Sequence, residues 1–193
     1  MPPLPTIREL TQHLVKTLAQ TIRPLTQRWF EAELMIGYGI GHDRTWVVLH
    51  PDVVLTQKQL STISALAERR VAHEPLAYLF RQAPFFGRTF FVDQNVLIPR
   101  AESEWLVKRG LEFFHDGKQW AAWDVGTGSG CLALSLALSA PALTVIGSDT
   151  SLGAIHIARR NAKQLVAKNA TFTIGSFLTP IVRRWLALSQ QKH

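Results

Sequence analysis

The chain has 193 residues, 47% of them hydrophobic and 18% charged, with one cysteine and a formal net charge of +7. Those proportions exclude a disordered chain, and the length suits one good domain or two small ones. A lone cysteine excludes an internal disulfide framework and fits a reducing, cytoplasmic setting, and no apolar run approaches the ~20 residues of a membrane span. Arginines pair at Arg69-Arg70, Arg159-Arg160 and Arg183-Arg184. No aromatic-interleaved basic stripe accompanies them, so they read as solvated helix faces and no direct nucleic-acid partner is expected. The histidines show no metal-ligand spacing, so no metal site is expected.

In chain order, residues 6–23 read as a helix, with Leu10, Leu14, Leu18 and Ile22 on one apolar face. The segment is basic and amphipathic, as an organelle presequence is, but Glu9 and the regular helical pattern favour an ordinary folded helix. Pro24 interrupts it. A second helix is predicted over 26–36, with Trp29, Phe30, Leu34 and Met35 as core, ended by Gly37-Tyr-Gly-Ile-Gly. Trp46 to Leu49 is a short apolar segment. Thr56-Gln-Lys-Gln59 has capping-box form and predicts a helix to Ala72, with Leu60, Ile63, Leu66 and Ala67 inward. Residues 1–75 thus form a small helical bundle. From Pro84 the texture turns aromatic and β-rich: Phe85 to Val92, with Gly87 as turn or bulge, and Val96-Leu-Ile-Pro99 as a second extended run. Residues 76–100 read as a hairpin linker. A helix then runs from Ala101 to about His115, with Ser103 or Glu102 serving its N-terminus, and Asp116-Gly117 is a turn.

The remainder alternates: strand 121–125, helix 130–139, strand 143–148, helix 151–167 with Ile155, Ala158, Ala162 and Leu165 inward, strand 171–174. Alternation predicts an α/β, Rossmann-like domain with a parallel sheet, incomplete within residues 101–193. Its first strand runs into Asp124-Val-Gly126-Thr127-Gly128-Ser-Gly130 and then an apolar helix, the strand–glycine turn–helix arrangement that seats nucleotide-like ligands. Asp149 ends the next strand, where a carboxylate can accept from two ribose hydroxyls. The spacing is Gly-x-Gly-x-Gly, with an acid just ahead and no Gly-Lys-Ser/Thr. That suits a ligand cationic at this end, such as S-adenosylmethionine, better than a pyrophosphate, and makes a dinucleotide oxidoreductase the weaker reading. Cys131 opens a helix, where a thiolate would be stabilised, but reads as a packing residue. Asn161 reads as facing the ligand or, by preference, as a cap or solvated residue. Trp105, Trp120, Trp123 and Trp185 read as core or interface.

The chain resembles the HemK/PrmC enzymes, protein N5-glutamine methyltransferases that act on peptide chain release factors. The likeness is carried by Glu74-Pro-Leu-Ala-Tyr-Leu79, Phe85-Phe-Gly87, Leu97-Ile-Pro-Arg100, Glu102-Ser-Glu104, the Asp124 to Gly130 turn, Asp149-Thr-Ser151, Ala154 and Ala158-Arg-Arg-Asn161-Ala162. It implies a helical bundle, a hairpin linker and a class I methyltransferase domain. It further implies methyl transfer from S-adenosylmethionine to the glutamine amide of a Gly-Gly-Gln loop. Asp124, Gly126, Thr127, Gly128 and Gly130 would hold the methionine end and Asp149 the ribose, with Arg100, Glu102 and Ser103 near the substrate channel.

The departures are equally definite. The family's catalytic Asn-Pro-Pro-Tyr segment, which holds the substrate amide, is absent, so no catalytic residue is assigned. Ser176 stands where the family has an acid, Arg81 where it has a glycine, Ala101 where it has a proline. The expected consequences are a C-terminally truncated chain, an inactive or binding-only protein as the second reading, and an exposed edge at Ala121 to Val125 that invites self-association.

Overall fold

The structure, a computed structural model, describes residues 3–114 and 120–176. Two compact units divide the chain, residues 1–80 and 81–193.

The first unit is helical: α1 (Ile7–Thr17), α2 (Leu25–Ile40), α3 (Arg44–Leu49), α4 (Gln57–Val71) and α5 (Leu76–Phe80). A capping box opens α1, the Thr6 hydroxyl accepting from the Glu9 N–H and the Glu9 carboxylate accepting from the Thr6 N–H. The latter bond also holds the Glu9 carboxyl below its usual range. α1 tightens into a 3₁₀ turn at Leu18–Gln20 instead of running to residue 23, because Arg23 precedes a proline and is excluded from the helical region. α2 does not stop at Gly37. It runs on to Ile40 and ends at Gly41, whose φ of 78° supplies the left-handed cap. Gly39 is there for close packing: a Cβ would stand 2.4 Å from Cγ1 of Ile63 on α4. Trp29 and Phe30, expected in the core, are exposed; the buried stripe is Ala32, Met35 and Ile36. The segment Trp46–Leu49 is helical because Asp43 caps α3, accepting from the Trp46 N–H at 2.7 Å. The Thr56 capping box starts α4 as expected, and Ile63, Leu66 and Ala67 are buried.

Arg69, Arg159 and Arg160 are exposed, as read, but the described pairs also tie the fold together, and Arg70 is half-buried. Arg70 reaches the buried Glu31 of α2 through Nε at 2.6 Å and Nη2 at 3.3 Å, and Gln27 donates to the same carboxylate at 2.9 Å. Arg69 forks onto Glu74. Arg183-Arg184 and Trp185 lie outside the described residues.

In the second unit, β1 (Gln82–Phe85) and β2 (Arg88–Phe91) pair antiparallel across Phe86-Gly87. Both turn residues have positive φ, 48° and 70°, the combination that matches strand twist in a two-residue hairpin. The hairpin closes on itself there, and Val96 to Pro99 forms no strand. A 3₁₀ turn at Ala101–Ser103 precedes α6 (Glu104–Phe113). Ser103 occupies the cap position without a side-chain cap bond. Glu104 instead accepts from the Phe86 N–H at 2.8 Å, tying α6 to the hairpin turn. Asp116-Gly117 lies outside the described residues.

Then come β3 (Ala121–Val125), α7 (Cys131–Ser139), β4 (Thr144–Asp149), α8 (Leu152–Gln164) and β5 (Ala170–Ile174), with the strands parallel in the order β3-β4-β5. Phe85, Phe90, Val107, Leu134, Val145, Ile155 and Phe172 share one core, so the hairpin, α6 and both crossover helices cover the sheet together. α8 ends at Gln164, short of residue 167. Its buried positions are Ala154, Ile155, Ile157, Ala158 and Asn161, while Ala162 and Leu165 are only half-buried. Arg159 donates twice to the Phe172 carbonyl, and the Arg160 guanidinium lies 3.4 Å over the Phe91 ring. Among the described residues β3 pairs only with β4 and forms the sheet edge, with Val125 exposed. Among the same residues no helix is long and apolar enough to cross a membrane.

Candidate functional site at the glycine turn

β3 delivers Asp124 to the end of the sheet, and the next five residues fold tightly over the end of β4. The N–H groups of Gly126 and Thr127 both donate to the Ser148 carbonyl, at 2.8 and 2.9 Å, and the Gly130 N–H donates to the Thr127 carbonyl at 2.8 Å. Gly126, Gly128 and Gly130 all have positive φ, 74°, 54° and 78°, a backbone other residues hold only under strain. The three glycines do different work. A Cβ on Gly126 would meet nothing within 4 Å and one on Gly128 only a carbonyl at 4.0 Å, so the turn presents open backbone there. A Cβ on Gly130 would meet Ala158, Leu134 and Phe172 at 3.2 Å, so this glycine lets α7 seat against α8 and β5.

Asp124 is half-buried beneath the turn. Its Oδ2 accepts from the Thr127 hydroxyl at 2.7 Å and from the Ala133 N–H, in the first turn of α7, at 3.2 Å. Burial raises its pKa, against the lowering effect of those two bonds, and the charge of Asp149 raises it further. Asp149 accepts from the Gly128 N–H at 3.0 Å on one oxygen and from the Ser151 N–H at 2.9 Å on the other. Carboxylate oxygens keep further lone pairs, so both acids can still meet a ligand. Thr127 is buried, with its hydroxyl, N–H and carbonyl all bonded internally, so it shapes the turn from within. The result is an open glycine backbone flanked by two neighbouring carboxylates. It fits a ligand with a cationic end and hydroxyl donors and is wrong in sign for a pyrophosphate.

Two supports escape motif reading. Gly147 lies in register between Asp124 and Phe172. A Cβ on it would stand 2.5 Å from two ring carbons of Phe172 and 2.8 Å from Oγ1 of Thr127. The signal was a lone glycine inside an apolar strand, which marks close approach. Asn161, expected as a ligand contact or solvated cap, is neither. It is completely buried and bonded to the backbone of Phe91 and Ser129. Cys131 packs at the core, and burial, the largest influence, raises its thiol pKa, which favours the neutral packing form. Of the tryptophans read as core or interface, Trp105 and Trp120 are exposed, and Trp123 is half-buried, donating to Ser148 Oγ at 3.3 Å. Arg100 and Glu102 are exposed and Ser103 half-buried, where the chain enters α6; among the described residues no hydrogen bond joins these three side chains to the glycine turn. A pocket of about 100 Å³ under β3, lined by Leu106, Trp123, Asp124 and Leu136 among others, has room for a small group only. Among the described residues no cluster of three or more His, Cys, Asp or Glu could hold a metal ion.

Residues 9–80 match the PrmC N-terminal domain and residues 117–185 a methyltransferase domain. The release factor glutamine methyltransferase of Buchnera aphidicola subsp. Acyrthosiphon pisum is 33% identical over 171 residues, which is 89% of this chain and 61% of that protein. Its counterpart in Coxiella burnetii is 34% identical over 178 residues, 92% of this chain and 63% of its own length. That in Chlorobaculum tepidum is 38% identical over 136 residues, 68% and 46%. The chain therefore spans less than two thirds of these curated relatives. With an N-terminal domain and a methyltransferase domain matched in that order, and relatives of one name along nine-tenths of its length, the chain is similar to the release factor glutamine methyltransferases.

Proposed function

We propose that the chain binds S-adenosylmethionine at the glycine turn and belongs to a protein methyltransferase that modifies the glutamine amide of the Gly-Gly-Gln loop in peptide chain release factors, in the cytoplasm. The observation that carries the reading is the open backbone of Gly126 and Gly128 between two neighbouring carboxylates. Bound there, S-adenosylmethionine supplies a methyl group activated by a sulfonium charge. Asp124 would face the positive charge of the methionine end, and Asp149 would accept from the ribose hydroxyls while holding the Gly128 N–H. Gly126 and Gly128 would let the ligand lie against the backbone, and Gly130 would keep α7 close behind it. Arg100, Glu102 and Ser103 would line the acceptor's approach.

An amide is a weak nucleophile, so catalysis depends on orienting it and excluding water. The 193 residues contain no Asn-Pro-Pro-Tyr segment to do this. The second reading is a chain that binds the cofactor without transferring the methyl group.

The test has two arms. Equilibrium binding of S-adenosylhomocysteine should be measurable with the unmodified chain and lost in an Asp124→Ala, Asp149→Ala double variant that remains folded. Transfer of label from S-adenosylmethionine to an unmodified release factor then separates the readings. Label incorporated means these residues suffice for catalysis; binding without label means the cofactor site alone is present. No binding by a folded chain refutes both.

A further inference from the structure

We propose that Asn161 is a positioning residue that couples the glycine turn to the hairpin, so that a ligand seated on the turn also orders the end of β2. The inference rests on the reading of that turn as the cofactor site. Asn161 is 0% exposed in α8. Its Oδ1 accepts from the Phe91 N–H at 2.8 Å, and its Nδ2 donates to the Phe91 carbonyl at 3.0 Å and to the Ser129 carbonyl at 2.8 Å. A primary amide has two N–H groups and one oxygen, and all three are committed here to backbone. That fixes the orientation of the side chain and leaves it no slack. Phe91 ends β2, and Ser129 lies in the turn between Gly128 and Gly130, positions 70 and 32 residues from Asn161 in sequence. One buried side chain thus bridges three distant segments.

The surroundings deepen the link. The Arg160 guanidinium covers the Phe91 ring at 3.4 Å. Beyond β2, Asn95 stands so close to α8 that a Cβ on Gly153 would lie 2.8 Å from its Oδ1. The chain leaving the hairpin toward Arg100 therefore lies against the helix that carries Asn161. Displacing the turn displaces the Ser129 carbonyl and leaves a buried donor unpaired unless Asn161 and Phe91 follow, which is costly. Linkage is reciprocal, so a ligand that fixes the turn protects Phe91, and loosening Phe91 weakens the ligand.

The experiment is amide hydrogen exchange on the unsubstituted full chain with and without S-adenosylhomocysteine, alongside its binding affinity. Val145, a sheet amide bonded to the Asn169 carbonyl, is the control for global stabilisation. Ligand should slow the Phe91 amide about tenfold more than Val145, the weight of one net hydrogen bond. In Asn161→Ser that excess should vanish, and affinity should fall by a similar factor of about ten. If the unsubstituted chain binds no S-adenosylhomocysteine, the cofactor reading and this inference fail together. If it binds and Phe91 changes no more than Val145, the coupling is refuted while the cofactor reading stands. That arm needs no variant, so a substitution that fails to fold does not hide the answer.

Discussion

Gly147→Ala is the most direct probe of how the turn is supported. Gly147 sits in the middle strand, beside Asp124 on one side and Phe172 on the other, with ordinary strand backbone. Backbone strain is therefore no part of the argument. The added methyl would lie 2.5 Å from two ring carbons of Phe172 and 2.8 Å from the Thr127 hydroxyl oxygen. Carbon atoms in contact sit about 3.5–4.0 Å apart, so the ring must move roughly 1 Å or more. Phe172 is buried, its carbonyl is held twice by Arg159, and its ring touches the place a Gly130 Cβ would occupy, so it cannot simply swing away. Overpacking of this kind costs about 1–3 kcal/mol, offset by about 0.4–1 kcal/mol from the stiffer unfolded chain, for a net loss of about 1–2 kcal/mol. Urea unfolding should show a midpoint on the order of 0.5–1 M lower with unchanged slope. The methyl also crowds the hydroxyl that donates to Asp124, so S-adenosylhomocysteine affinity should fall too. In a cycle with Phe172→Leu, which makes room, the double variant should be more stable than the sum of the single losses predicts. A Gly147→Ala variant as stable as its parent, with strictly additive behaviour in the cycle, would refute the close-approach account.

Asp124→Asn tests the charge beneath the turn. Burial raises the Asp124 pKa, so the folded chain holds that proton more tightly than the unfolded chain. Its contribution to stability is greatest below the ordinary carboxylate range, falls as pH rises from there through the raised folded value, and is flat above it. A cationic ligand favours the carboxylate, so affinity for S-adenosylmethionine should strengthen as pH rises through the same window. The asparagine variant, which can still accept from Ala133, should lose that dependence; identical pH profiles for the two proteins would be inconsistent with it. Arg81 has a φ of 53°. A left-handed non-glycine residue costs about 1–2 kcal/mol, part of which returns as glycine's greater freedom in the unfolded chain, so Arg81→Gly should stabilise by about 0.5–1 kcal/mol. A lower urea midpoint would contradict this. In the helical unit, Glu31→Ala strands the largely buried Arg70 and should cost about 3–5 kcal/mol, whereas loss of a surface pair costs under about 1 kcal/mol. Thermal unfolding compared with Asp52→Ala, whose pair with Arg8 is exposed, discriminates the two.

The order of helices and strands from α6 onward, the Thr56 cap, the parallel β3-β4-β5 run and the turn from Asp124 to Gly130 were legible in the sequence, whereas the helices α3 and α5 were not: Leu76–Phe80 read as linker. Each legible feature is set by neighbours a few residues apart: a side chain reaching a nearby N–H, a glycine at positive φ, an apolar period. The same locality explains the departure at Arg81, because the position demands a left-handed backbone whichever residue occupies it. Tertiary structure decided what depends on a distant partner. Gly37 and Gly39 read as a helix stop, but Ile63 of α4 needs the space beside Gly39, so α2 continues. Trp29 and Phe30 read as core because they are large and apolar, yet the face that meets other helices carries Ala32, Met35 and Ile36. Arg70 and Arg159 read as solvated, and only the fold brings Glu31 and the Phe172 carbonyl to them. Asn161 is the extreme case: a polar residue is expected at the surface until three backbone groups from two remote segments converge on it, and a buried amide is stable only where all its hydrogen-bonding capacity is met.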